Sequence, residues 1–103
     1  GYRVIAFPGP AEALEAMPDL ESIDLMMTDV VMPGMNGKEL AHRFLGRFPG
    51  IKFLFMSGYT ANIIAQHGLL DEGVHFLHKP FTPLELAARV RQALDDPRSV
   101  LPR

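Results

Sequence analysis

An α/β fold built on a parallel sheet is predicted by three features of the sequence. Three apolar runs, Ile23 to Thr28, Ile51 to Met56 and Val74 to His78, have strand length and lack polar alternation, as expected for strands covered by helices on both faces. Segments with helical periodicity or helix-boundary residues separate them. Each run also delivers a polar residue at its carboxyl end, namely Asp29, Ser57 and Lys79, where open α/β sheets bind their ligands.

Taken in order, Tyr2 to Phe7 reads as a further strand, Pro8-Gly9-Pro10 as a turn, and Ala11 to Met17 as a short helix ended by Pro18. After the Asp29 strand, the residues from Met32 to Gly37 supply turn chemistry. The helix that follows buries Leu40, Phe44, Leu45 and Phe48, which recur at helical spacing, and Pro49-Gly50 stops it. Asn62 to Glu72 is helical by composition, but Gly68 costs about 1 kcal/mol relative to Ala in a helix interior, so this helix is expected to be short or broken. The last helix has the clearest start: Thr82 caps it, Pro83 takes the first position and Glu85 completes a capping box. It is predicted to run from Pro83 to Asp95 with Leu84, Ala87, Ala88 and Leu94 facing inward and Arg89 and Arg91 solvated. Residues 1–96 then form one domain, and 97–103 a tail or linker.

Composition agrees with a single unit. A chain of 103 residues buries about two-thirds of the surface its unfolded form exposes, and 48% hydrophobic residues suit such a core. The net charge of −2 gives no electrostatic reason to expect nucleic-acid binding. The lack of cysteine excludes a disulfide framework and thiolate metal sites, which suits the cytosol. No apolar stretch approaches the roughly 20 residues needed to span a bilayer, so no membrane contact is expected of this domain. His42, His67, His75 and His78 show no metal-ligand spacing, and they read as structural or surface residues.

Each candidate residue has an ordinary reading beside a functional one. Asp29 before a Pro-Gly loop could serve as a helix N-cap or a turn former, Ser57 before Gly58 as turn chemistry, and Lys79 as an exposed strand-end lysine. If the three strands are parallel neighbours, however, the three ends lie side by side.

The ordered set TDVVMPGMNG, FMSGYT and FLHKPF resembles the receiver domain of two-component response regulators, including receivers fused to hybrid sensor histidine kinases. The resemblance extends from GYRVIAF to LELAARVRQALD. It implies a flavodoxin-like, three-layer parallel sheet with the family strand order 2-1-3-4-5, in which GYRVIAF takes the place of the second strand. The family's first strand ends in two adjacent acidic residues that help to hold a metal. No such pair precedes Asp29, so the chain resembles a receiver lacking its first strand and first helix. The absent strand would lie between GYRVIAF and the Asp29 strand, which points to a shift of GYRVIAF, to strand exchange in a dimer, or to a longer protein.

By resemblance, Asp29 is the nucleophile that becomes an aspartyl phosphate, Lys79 sets a positive charge beside the phosphoryl oxygens, and Ser57 donates a hydrogen bond to one of them. Magnesium would bridge Asp29 and the phosphoryl group, with the backbone carbonyl of Val31 as a further ligand, and the metal site is incomplete in this chain. Ser57 and Phe76 match the family's switch pair, although Phe76 reads equally well as core. Val31 and Tyr59 occupy positions that tune the phosphoryl lifetime. The Lys79-Pro80 bond would be cis, whereas trans is the commoner state of such bonds. The implied partner is a histidine kinase or histidine phosphotransfer domain, and the implied role is that of a phosphoacceptor rather than an enzyme. Signals would leave through the helix after Ser57, the strand from Val74 to His78 and the last helix.

Two other functions remain open. Without the two acids, the chain could be a non-phosphorylated receiver-like interaction module. A phosphatase of the haloacid-dehalogenase type also pairs a nucleophilic Asp with a hydroxyl and a Lys, but it needs a second Asp where this chain has Val31, which cannot transfer a proton.

Overall fold

The computed structural model describes residues 2–60, 63–64 and 74–97. Helix α1 spans Pro10–Ala16 and passes directly into a 3₁₀ turn over Met17–Asp19, so Pro18 tightens the helix end where the sequence predicts a stop. Strand β1 (Leu25–Asp29) follows, then helix α2 (Gly37–Arg47), strand β2 (Lys52–Ser57), strand β3 (Phe76–His78) and helix α3 (Pro83–Asp95). The segment predicted as a helix from Asn62 to Glu72 lies outside the described residues, apart from 63–64, which are helical. The tail from 98 onward lies outside them as well.

The three strands form a parallel sheet in the order β1-β2-β3. Asp29 pairs with Met56, and Ser57 with His78, so the register brings the carboxyl ends of the three strands together. Val30 N–H extends the first ladder by donating to the Met56 carbonyl at 3.0 Å, and Lys79 N–H extends the second by donating to the Ser57 carbonyl at 2.8 Å.

Alternation along β2 divides the interior. Ile51, Phe53 and Phe55 pack with Ala13 of α1, with Leu40, Ala41 and Phe44 of α2, and with Phe48, Val30 and Ile64 in one continuous cluster. Leu54 and Leu77, also buried, lie on the other face, which α3 covers with its buried Ala93. The result is three layers, with α1 and α2 on one side of the sheet and α3 on the other. The predicted stripe of α2 is the observed one: Leu40, Phe44 and Phe48 are buried, and Leu45 is partly so.

Two expectations are corrected. Tyr2 to Phe7 is not a strand, joins no sheet, and leaves Tyr2, Val4 and Ile5 exposed. A β-pattern becomes a strand only where a neighbour accepts its ladder, and this segment has none among the described residues. On α3, Leu84, Ala87 and Ala88 face solvent, and the inward stripe is Leu86, Val90 and Ala93 with Leu94. The helix carries two apolar stripes, and contact with the sheet, which sequence spacing does not encode, selects between them. The start of α3 agrees with the sequence, since Thr82 Oγ1 accepts from Glu85 N–H and the Glu85 carboxylate accepts from Thr82 N–H. Arg89 and Arg91 are exposed as predicted.

Candidate functional site at the carboxyl ends of the strands

Asp29 is the last residue of β1, and the loop after it is bent sharply back. Gly34 takes φ 82°, a left-handed conformation suited to glycine, and Gly37 N–H donates to the Val30 carbonyl at 2.7 Å. Asn36 then caps α2 by accepting from Glu39 N–H at 2.8 Å. Helix α2 starts so close to β1 that a Cβ on Gly37 would overlap the Asp29 carbonyl. Thr28, buried beneath, donates its hydroxyl proton to that same carbonyl at 3.0 Å. The backbone of Asp29 is therefore held from both sides while its carboxylate stays partly exposed.

Lys79 follows β3, with a cis bond to Pro80. Its Nζ lies 2.5 Å from Asp29 Oδ1, forming an ion pair with side chains 42% and 39% exposed. A phosphoryl group approaching from solvent would meet both partners, because neither is sealed by the fold. Ser57, on the strand between them, is 6% exposed. Its Oγ accepts from Tyr59 N–H at 3.0 Å in a tight turn, and this leaves the hydroxyl proton free to donate. Tyr59 and Val31 stand at the rim with exposed side chains. Phe76 is partly buried against the core cluster and lines a shallow groove with Thr60, Val74, His75, His78 and Arg89.

Asp29, Lys79 and Ser57 thus gather at one edge, as the sequence predicts, and two of them touch. Three contributors escape sequence reasoning. Gly37 and Thr28 read as turn and strand residues, and only their contacts with Asp29 reveal a positioning role. His78 reads as a structural or surface residue, and it is exposed, but the contact of its Nε2 with the Gly58 carbonyl at 3.1 Å is not visible in the sequence. A second histidine, His75, pairs with Asp96 at 2.8 Å and ties the start of β3 to the end of α3.

Metal fit is limited. Among the described residues, no group of three His, Cys, Asp or Glu side chains could hold an ion. Asp29 and the Val31 carbonyl, with one carboxylate between them, do not by themselves make a cage.

The sequence model of the response regulator receiver domain matches residues 1–91. The chain is 38% identical over 96 residues to the sensor kinase CckA of Brucella abortus, a match covering 92% of this chain and 10% of that protein. It is 33% identical over 94 residues to the response regulator receiver protein CpdR of the same organism, covering 91% of this chain and 78% of that one. Among solved structures, a response regulator receiver protein from Sinorhizobium medicae superposes with a TM-score of 0.76 at 27% identity, covering 95% of this chain and 78% of that one. The chain thus spans only a tenth of the kinase it matches and more than three-quarters of the small regulator. With its parallel sheet, its covering helices and a match over most of its length, the chain belongs to the response regulator receiver domain family.

Proposed function

We propose that this chain is a phosphoacceptor module of a two-component phosphorelay, with Asp29 as the residue phosphorylated. The observation that supports it most directly is the Asp29–Lys79 ion pair at the carboxyl ends of neighbouring parallel strands, with the Ser57 hydroxyl on the strand between them. In the proposed step, a carboxylate oxygen of Asp29 forms a bond to phosphorus as the bond to the donor's imidazole nitrogen breaks, and the imidazole, already protonated on its other ring nitrogen, leaves as the neutral base. Charge spreads over the phosphoryl oxygens in the transition state, so the protein contributes position and electrostatics. Lys79 faces those oxygens with a compact cation, and Ser57 donates its free hydroxyl proton to one of them. Water later cleaves the acyl phosphate and restores the carboxylate. On this reading the chain is a phosphoacceptor whose own chemistry goes no further than self-phosphotransfer and autodephosphorylation.

The partner is a histidine kinase or histidine phosphotransfer domain, which places the reaction in the cytoplasm. Magnesium, where bound, would neutralise phosphoryl charge, with Asp29 and the Val31 carbonyl as this chain's donors, and no step above depends on it. Ser57 and Phe76 would carry the switch to the groove beside β3 and α3. A dimer formed by strand rearrangement or exchange, at the edge of β1 that no described strand pairs, belongs to the same proposal.

Intact-mass spectrometry after incubation with acetyl phosphate and magnesium tests the reading. The expected result is one phosphoryl adduct on the parent chain and none on Asp29→Asn. A folded parent that takes no adduct would instead favour a non-phosphorylated interaction module.

A further inference from the structure

The peptide unit joining Gly58 to Tyr59 is held at both ends. Its oxygen lies 3.1 Å from His78 Nε2, and its N–H donates to Ser57 Oγ at 3.0 Å. A carbonyl can only accept, so His78 carries its proton on Nε2 in this contact. One residue later, Lys79 N–H donates to the Ser57 carbonyl at 2.8 Å. Two consecutive residues leaving β3 thus grip two consecutive residues leaving β2, one through its backbone and one through its side chain.

The grip has a consequence for the hydroxyl. A serine oxygen that accepts from Tyr59 N–H has one lone pair directed at that amide, which holds the side-chain rotamer and confines its own proton to the two remaining staggered directions. Rotation of the Gly58–Tyr59 peptide would release Ser57 to other rotamers, and the bond from His78 opposes that rotation. We propose that His78 is a positioning residue: by holding the Gly58 carbonyl it locks the peptide whose N–H orients the Ser57 hydroxyl for donation toward the Asp29 carboxylate edge. The role in phosphorylation rests on the function proposed above. The lock itself does not, and it can be read in the unphosphorylated protein.

The test compares His78→Leu and His78→Gln with the parent chain, since a glutamine amide can present a donor near the place of Nε2. Hydrogen exchange at the Tyr59 amide, followed by nuclear magnetic resonance, reads the lock directly. Exchange should speed up about fivefold in His78→Leu and return toward the parent rate in His78→Gln, in keeping with loss and recovery of one hydrogen bond. Amides in the middle of β2 serve as the folding control and should not change. The rate of adduct formation from acetyl phosphate should fall in His78→Leu by a similar factor and recover in His78→Gln. Unchanged Tyr59 exchange in His78→Leu would overturn the lock, and faster exchange with an unchanged phosphorylation rate would overturn its role in positioning Ser57. A parent chain that takes no phosphoryl group would defeat the proposed function, and the exchange data would still decide whether the lock exists.

Discussion

Gly37 shows how much of this site rests on a missing side chain. Any Cβ there would run into the Asp29 carbonyl, so Gly37→Ala must push α2 away from β1 or shift the backbone beneath Asp29. Overpacking of this kind costs about 1 to 3 kcal/mol, and the urea midpoint should fall accordingly. The same shift moves the carboxylate relative to Lys79, so adduct formation should slow in a variant that still folds. Gly34→Ala, at a left-handed position with nothing near its Cβ, should cost stability without slowing phosphorylation. The contrast marks the limit of what could be read from the chain alone. Asp29, Ser57 and Lys79 are legible because each ends an apolar run, and run ends are visible in a sequence. Gly37, Thr28 and His78 act through contacts with the backbone of other residues, and no pattern along the chain announces those.

At the scale of elements, what was legible is what is local. The capping box of Thr82 and Glu85 and the Asn36 cap use partners three residues apart, and the structure forms the first as the sequence predicts. The covering face of α3 depends on a distant sheet, and there the spacing misleads. The observed stripe makes a direct claim: Val90→Ala, on the inward side, should lower stability by about 1 kcal/mol, whereas Leu84→Ala, at a residue 82% exposed, should stay within about 0.5 kcal/mol. Paired urea titrations would measure both, and the opposite ranking would restore the face that the sequence suggested. Tyr2 to Phe7 fails for a related reason. Its alternating bulky residues are fit for a strand, but pairing is a property of two segments and cannot be read from one.

On the scale of the whole molecule the two sides of the sheet are unequal. One carries α1, α2 and the aromatic cluster, while among the described residues the other is covered by α3, and Met27 near the middle of β1 remains 39% exposed. β1 also stands at the edge of the sheet, with no strand beyond it among the described residues. An edge that no described strand pairs, on a chain that also exposes Met27, Val4 and Ile5, is a template for pairing with another chain, and a net charge of −2 opposes association only weakly. Sedimentation velocity across a concentration series is therefore expected to show a monomer that gives way to a dimer as concentration rises. Met27→Lys sets a charge on the exposed part of β1 without entering the aromatic cluster, and it should return the chain to monomer while leaving its thermal midpoint nearly unchanged. A parent chain that stays monomeric throughout would mean that the edge is shielded, and strand exchange would then have no part in its function.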